Sequence, residues 1–598
     1  MSNSQLLKID GRFLYYTFLA GGNKILENQS SINEINVFPV KDMDTGTNLA
    51  STVRAVLDNV IPDKSYSITI NKIAEEALIG ARGNSGVIFA QFLYGLSMET
   101  ANKTQITYHE FAESLKNAIP YMYDAVAKPM EGTMLTVIKE WSDFISSKKG
   151  KLEDFKENII ESIKTLEASL SETTEKLKIL SKYNLVDAGA KGFVLFIQGI
   201  IELIKNKSIR SINRSSNITI TSIHSEELIH ENITFRYCTE AIIRNLSINK
   251  NELKYQLENN GDSVVIAGSD KLCRIHIHTD NPSKMFYNLS KHGTITYQKV
   301  DDMVRQMEAA SSRKWNIAIV TDSSCDLPQE LIDEYQINYV PININFGDNH
   351  YLDKMTIMPE EFYKLLESSE EFPKTSQINE RSFTNIYSHL ASHYDAIIGI
   401  HLTSQFSGTY NSSKKAAERI SNEFNKPIHV FDSKTLSGAL GLIVLKTAKA
   451  IEKGDSLEEI TNNIPKWSSE SKIFVSVRDL KYMIKGGRVS KSKGFIASLL
   501  GVNPIVSMDK DGKSMLMGKA FSQKSNMDKV VKHIKKTSLS QEISDYIVLH
   551  ANNDEGADYY SQEMETLTGM KPISKVNISP VIGMNAGIGT TAVSIIYK

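Results

Sequence analysis

The amino-acid sequence predicts a multidomain protein with an all-α N-terminal region, a small α+β middle region and an α/β C-terminal region. Three observations predict it. The 598 residues exceed what one hydrophobic core organises, so two to four domains are expected. Through most of residues 10–205 apolar positions recur at three- and four-residue spacing, while Gly, Asp and Pro fall in the connections. From residue 315 onward, strand-like runs alternate with helical patterns.

In the N-terminal region, helical patterns cover residues 13–26, 68–78, 87–98, 111–126 and 152–177. The stretch with most chemistry is Asn36-Val37-Phe38-Pro39-Val40-Lys41-Asp42-Met43-Asp44-Thr45-Gly46-Thr47-Asn48. Asp42 and Asp44 are hard oxygen ligands of the kind Mg²⁺ takes alongside waters and substrate phosphates. Thr45, Gly46, Thr47 and Asn48 lead into a helical pattern, so free N–H groups at a helix start would stand beside them. An Asp-rich capping turn has the same spacing. A second segment, Gly80-Ala81-Arg82-Gly83-Asn84-Ser85-Gly86, joins two helical patterns as an anion-holding backbone nest does. It is not a Walker A loop, because no Gly-Lys-Ser/Thr follows at the required spacing.

Two further segments are Glu131-Gly132-Thr133-Met134-Leu135-Thr136 and Val186-Asp187-Ala188-Gly189-Ala190-Lys191-Gly192. Together the four resemble the dihydroxyacetone kinase L-subunit (DhaL, or DAK2) family over roughly residues 5–205, and within it the ATP-binding subunit of bacterial fatty acid kinase. The resemblance implies an antiparallel helical barrel with ATP and two Mg²⁺ at one end. Asp42 and Asp44 match its metal ligands, and Asn36 matches the source of a third oxygen ligand. Gly83, Asn84 and Ser85 match the phosphate-contacting turn, Thr133 and Met134 the edge of the nucleotide pocket, and Asp187 the closing loop. Lys41 and Met43 stand where the family usually has Pro and Gly.

From residue 205 to about 221 the chain turns polar and aperiodic, which reads as a linker. Residues 222–312 follow as a unit of β-α-β-β-α-β order, a pattern that suggests a ferredoxin-like sandwich. In Arg274-Ile275-His276-Ile277-His278 the two imidazoles share one face of a strand, Cys273 has the opposite parity, and Cys238 is the better third partner. One Cys with two His suits Zn²⁺ with an open fourth position. Two polar-face histidines beside a buried Cys would have the same spacing. The segments around Cys238 and the His pair resemble the fatty acid kinase middle domain, which implies a functional, zinc-binding cluster. On this reading the candidate catalytic residues are Asp42, Asp44, Cys238, His276 and His278.

Residues 315–598 carry strand patterns at 317–321, 339–346, 396–402 and 428–431, each followed by a helical pattern, and a parallel sheet is expected. The clusters Thr321-Asp322-Ser323-Ser324, Lys374-Thr375-Ser376-Gln377, Thr403-Ser404-Gln405-Phe406-Ser407-Gly408-Thr409 and Lys485-Gly486-Gly487-Arg488-Val489 resemble the DegV family of fatty-acid-binding proteins. The resemblance implies an acyl chain in an apolar tunnel with its carboxylate among hydroxyls. Thr375 and Ser407, with Ser376 and Gly408 beside them, match carboxylate-contacting positions, and Arg488 matches a basic residue near the head group. Ser/Thr-rich turns also cap helices. Asn585 stands where the family commonly has His.

Near-neutral net charge (−2) gives no case for nucleic acid as a partner. No apolar run is long enough for membrane insertion. Three cysteines and an N-terminus without signal-peptide features suggest a cytoplasmic protein. The expected domains are 5–205, 222–312 and 315–598. The expected activity is Mg²⁺- and ATP-dependent phosphorylation of a fatty acid carboxylate to an acyl phosphate. The carrier would be the chain's own DegV domain or a separate DegV-type protein, and a homodimer is expected. A small-ketone kinase and a lipid-binding regulator that senses ATP stand as alternatives.

Overall fold

The computed structural model describes residues 5–38, 44–150, 153–206, 233–487 and 501–598. The expected linker therefore lies largely outside the described residues, as do Lys41, Asp42, Met43 and Arg488. The chain divides into two compact units, residues 1–281 with 289–304 and residues 282–288 with 305–598.

The first unit begins with helices α1 (Gly11–Glu27), α2 (Gln29–Glu34), α3 (Thr45–Asn59), α4 (Tyr66–Gly80), α5 (Gly83–Glu99), α6 (Tyr108–Ala125), α7 (Met134–Ser147), α8 (Phe155–Glu161), α9 (Ile163–Lys176), α10 (Lys178–Tyr183) and α11 (Ala188–Asn206). Their apolar stripes close on one core, in which Phe196 meets Phe18 and Phe89 edge-on at 5.3 and 5.2 Å. Helices α1 and α11 cross closely because a Cβ at Gly21 would fall 2.6 Å from the Phe196 ring. The region is not wholly helical: β1 (Lys8–Asp10) and β2 (Gln105–Thr107) pair antiparallel.

The helix expected over residues 152–177 is two helices. Ser162 ends α8 and begins α9, and its hydroxyl accepts from the Trp141 indole N–H at 3.0 Å. Helix α5 starts four residues before its expected position, which puts Gly83, Asn84 and Ser85 in its first turn rather than in a loop.

The middle sheet comprises β3 (Tyr237–Arg244), β4 (Asp262–Gly268), β5 (Leu272–Thr279) and β6 (Thr294–Asp302), antiparallel throughout in the order β4-β5-β3-β6. Helix α12 (Lys250–Glu258) joins β3 to β4, and α13 (Pro282–Leu289) lies between β5 and β6 in the chain. This sheet shares the core of the helical region: Ile242, Val265, Ala267 and Leu272 belong to the same buried cluster as α1–α11. Hydrogen bonds seal the junction, with Gly268 N donating to Gln91 Oε1 at 2.7 Å and Ala127 N to Val264 O at 2.9 Å.

The second unit contains a four-stranded parallel sheet, β13-β12-β7-β8, of β7 (Ile317–Asp322), β8 (Asn338–Val340), β12 (Ala396–His401) and β13 (Ile428–Asp432). A three-stranded antiparallel sheet joins β9 (Asn343–Phe346), β10 (Asn349–Leu352) and β11 (Lys374–Ser376). The strand expected over 339–346 is thus two, split at Pro341, which has no N–H for a ladder. The expectation of a parallel sheet holds for only part of the unit. A six-stranded sheet, β16-β15-β14-β19-β17-β18, is antiparallel except between β17 (Ile543–His550) and β18 (Lys575–Asn577). Its other strands are β14 (Ser471–Ser476), β15 (Asn503–Met508), β16 (Ser514–Ala520) and β19 (Thr591–Tyr597). The helix Ser437–Lys453 touches β7 and β12 as well as β14, β17 and β19, which is why it is apolar and buried almost all round. Among the described residues no helix is long and apolar enough to cross a membrane.

Candidate functional site

The loop before α3, the first turn of α5 and the polar face of the middle sheet meet at one pocket. Asn36, Asp44, Thr45 and Asn48 line one side, Asn84 and Ser85 the head of α5, and Cys238, His276 and His278 the sheet side. The described part of the Asn36–Asn48 stretch and the Cys/His cluster, read from the sequence as separate features, are therefore walls of the same pocket. Its free space is about 40 Å³ among the described residues, enough for an ion with water.

Each wall has a local cause. Asp44 occupies the N-cap position of α3, its carbonyl takes the Asn48 N–H at 2.8 Å, and the residue lines the pocket. The Thr45 hydroxyl donates to Asn36 Oδ1 at 2.7 Å and so fixes that carboxamide. Gly46 and Thr47 do different work: a Cβ at Gly46 would collide with Gln29 O, and the Thr47 hydroxyl accepts from Gln29 and Asn33, so both seat α3 against α2. Gly83 has φ +55°, and a Cβ there would collide with Asn48 Nδ2. Only glycine brings α5 this close to α3. The Asn84 side-chain oxygen is buried without a hydrogen-bond partner among the described residues.

Asp187 stands beside this pocket at the start of α11. It accepts from Ala190 N at 2.7 Å and from the Met134 and Gly189 N–H groups, joining the heads of α7 and α11. Burial outweighs those donors and pushes its carboxyl up to about 6. Thr133 caps α7, and a Cβ at Gly189 would lie 3.0 Å from Ser85 Oγ and 3.2 Å from the Met134 methyl. Thr133, Met134 and Asp187 thus gather where the heads of α7 and α11 meet, and they are not among the residues that line the pocket.

On the sheet, register places Cys238 opposite His278 and Glu240 opposite His276 across β3 and β5. Cys238 Sγ is 3.9 Å from His276 Nδ1, and the ligand atoms of Cys238, His276 and His278 lie within 4.8 Å of one another. Among the described residues His276 Nε2 is buried without a partner, and His278 Nδ1 is 3.3 Å from Asp262 Oδ1. A carboxylate on one imidazole nitrogen leaves the other for a metal. One thiol and two imidazoles converging this closely, with an orphaned ring nitrogen among them, fit a zinc ion with an open position. Burial, with Glu240 next, pushes the Cys238 thiol up, and burial lowers His276 against the pull of Glu240. Cys273 is buried on the opposite parity.

Two residues of this face were not singled out from the sequence. The Glu240 carboxylate accepts from Gly83 N at 2.7 Å and from Arg274 Nη2 at 2.6 Å, and both side chains are 1 % exposed. Burial pushes Glu240 up, but Arg274, His276 and Lys299 outweigh it and hold the carboxyl below the usual range. Their signal was the two-residue period: Glu240 shares Cys238's face, and Arg274 shares that of the histidines.

The second unit holds an apolar cavity of about 260 Å³. Leu402, Leu436, Ile473, Val475, Val506 and Met508 form its walls. Thr375 and Ser376 from β11, Ser407 and Gly408 after β12, and Asn585 from the helix Pro580–Ala586 gather at its polar part. The Ser407 hydroxyl, one residue before the N-cap Gly408, also accepts the first N–H of the helix Thr409–Phe424, from Thr409 N at 3.2 Å, while Ser407 lines the cavity. Gly408 is required by Gln377, whose Oε1 would collide with a Cβ there. Gln377 lines the cavity too and was not singled out as a site residue. Asn585 Nδ2 donates to Val581 O at 3.2 Å, while its Oδ1 is buried without a partner among the described residues.

Comparison with known proteins follows this division. Family models match residues 39–202 as a DAK2 domain, 234–310 as the middle domain of fatty acid kinase-like proteins, and 316–598 as an uncharacterised protein of the DegV family. A DegV domain-containing protein of Clostridium acetobutylicum is 31% identical over 283 residues, covering 47% of this chain and 99% of that protein. The chain belongs to the DegV family. Ahead of its DegV domain it carries a DAK2 domain and a fatty acid kinase-like middle domain.

Protein YloV of Bacillus subtilis is 31% identical over 326 residues, 51% of this chain and 58% of the relative. An uncharacterised Staphylococcus epidermidis protein is 29% identical over 310 residues, 50% of this chain and 56% of the relative. The chain thus spans little more than half the length of these curated relatives. Among solved structures, DegV of Bacillus subtilis, described as a fatty acid binding protein, is 29% identical with a TM-score of 0.43, covering 48% of this chain and 100% of its own. A fatty-acid-binding DegV family protein from Thermus thermophilus is 25% identical with a TM-score of 0.44, covering 47% and 100%. The DegV match contains every residue of the apolar cavity, and the DAK2 and middle-domain matches between them contain the pocket apart from Asn36 and Phe38.

Proposed function

We propose that this protein is a fatty acid kinase-like phosphotransferase, in which ATP is used to convert a fatty acid carboxylate to an acyl phosphate. One observation carries the reading: oxygen ligands of the DAK2 domain and the Cys/His cluster of the middle domain line the same pocket. A site that only bound nucleotide would not need a thiol and two imidazoles facing the phosphate end. The β-α-β-β-α-β middle domain, read as a ferredoxin-like sandwich, supplies those three side chains from adjacent strands.

In the reaction a carboxylate oxygen of the fatty acid attacks the γ-phosphorus, the bond to the β-phosphate oxygen breaks, and ADP leaves. The acid is ionised at neutral pH, so no strong base is required. The residues then have to position and neutralise. Asp44, with Asp42 and the Asn36 carboxamide held by Thr45, would hold Mg²⁺, which offsets charge on the phosphates. Asn84 and Ser85 at the head of α5 orient the phosphates, helped by the helix's positive end. Cys238, His276 and His278 would hold Zn²⁺, a Lewis acid at the acceptor side of the pocket. Thr375, Ser376 and Ser407 hold the carboxylate of acyl lipid in the DegV domain, and Arg488 would add a cation. The lipid-bearing partner is the DegV domain of this chain, of a second copy, or of a separate carrier, and the reaction takes place in the cytoplasm.

ATP turnover measured with and without a long-chain fatty acid tests this. Turnover that rises with fatty acid and is abolished by Asp44→Ala supports the reading. Turnover stimulated by a small ketone instead, or no turnover with or without an added DegV-type carrier while acyl lipid binds, would overturn it.

A further inference from the structure

The first N–H of α5 is already taken by an anion of the protein itself. Gly83 N donates to Glu240 Oε1 at 2.7 Å, at the helix end where a phosphate would be expected. The other oxygen of that carboxylate accepts from Arg274 Nη2 at 2.6 Å. Arg274 is 1 % exposed and lies 4.5 Å over the Tyr297 ring, yet its Nε and Nη1 have no hydrogen-bond partner among the described residues. A guanidinium is a fork that matches a carboxylate with two parallel bonds, and here one prong is used. Buried donors are normally satisfied. The unused prong is a vacant seat beside the carboxylate that would fill it.

We propose that Glu240 is a built-in stand-in for a nucleotide phosphate at the head of α5, and that its carboxylate moves onto the unused donors of Arg274 when a phosphate arrives. This rests on the nucleotide-binding reading above. Glu240 is then a positioning residue that acts through Gly83. Its Oε1 also lies 3.8 Å from His276 Nδ1. The same movement therefore changes the surroundings of the Cys238, His276 and His278 cluster, and makes arrival of nucleotide felt at the acceptor side of the pocket.

The test is titration of the full-length protein with a fluorescent ADP analogue and Mg²⁺ in four forms: wild type, Glu240→Gln, Arg274→Met and the double variant. The expected result is about five- to tenfold tighter binding for Glu240→Gln and about tenfold weaker binding for Arg274→Met, the weakening disappearing in the Glu240→Gln background. Opposite shifts that simply add would mark a general charge effect, and weakening by both variants would mark a structural ion pair; either overturns the proposal. A wild type that binds no nucleotide overturns the kinase reading and the proposal with it. Should the variants not fold, the wild-type structure with Mg·ADP decides: Glu240 bidentate on Arg274 supports the proposal, and Glu240 still on Gly83 N overturns it.

Discussion

Cys238 and His278 stand directly opposite one another in the β3–β5 register, and with His276 their ligand atoms fall within 4.8 Å. The purified protein is therefore expected to carry about one zinc per chain. Cys238→Ala and His276→Ala each reduce that to near zero, and Asp262→Asn, which loosens the hold on His278, weakens zinc roughly 10- to 100-fold. Metal analysis and competition with a chromogenic chelator read both effects.

Gly83→Ala combines a strained backbone with a close approach to Asn48. The variant is expected to lose at least about 1 kcal/mol of stability from the left-handed conformation alone. Because α5 must move away from α3, its nucleotide affinity should fall by more than tenfold. Calorimetric melting and nucleotide titration measure the two losses separately.

In the DegV domain, Asp353 Oδ1 accepts from Val581 N at 3.3 Å, while Oδ2 is buried without a partner. Burial pushes this carboxyl up to about 7, against the pull of Lys354. Its folded pKa lies above its unfolded one, so the protonated form is favoured by folding. Stability is then greatest at acid pH and declines as pH rises from about 4 through about 7. Asp353→Asn keeps the acceptor for Val581 and removes the charge. Its melting temperature should match wild type at pH 4.5 and exceed it by a few degrees at pH 8.

Thr375→Val removes a hydroxyl from the polar part of the apolar cavity without changing shape. Fatty acid affinity is expected to fall about tenfold, as for one charge-assisted hydrogen bond, with the melting temperature unchanged. Ser407→Ala should lower affinity and stability together, because Ser407 also accepts the first N–H of the helix Thr409–Phe424. Displacement of a fluorescent fatty acid, with melting curves alongside, separates the two.

Much of the architecture was readable because period is local. The 3.6-residue pattern gave the helices of the DAK2 domain, and the two-residue alternation of His276 and His278 put both rings on one strand face. What escaped depends on distant partners. Nothing near Gly268 in the sequence indicates that it donates to Gln91, so the shared core of the helical and middle regions was not visible. Pro341 was a local sign that the run over 339–346 breaks, but the six-stranded antiparallel sheet depends on β19 returning beside β14 and β17. Gly46 and Thr47 were read as part of a helix start with free N–H groups beside the carboxylates, although their contacts are with Gln29 and Asn33 on α2, and Asn33 takes the Thr47 N–H. Glu240 and Arg274 were legible as polar residues on the right faces, but not as partners of Gly83.

The most direct measurement is to combine the full-length protein with ATP, Mg²⁺, a long-chain fatty acid and hydroxylamine, and to assay the acyl hydroxamate. Product from the wild type, lost in both Asp44→Ala and Cys238→Ala, is the predicted result. Its absence both with and without an added DegV-type carrier, in a protein that binds acyl lipid, would contradict it.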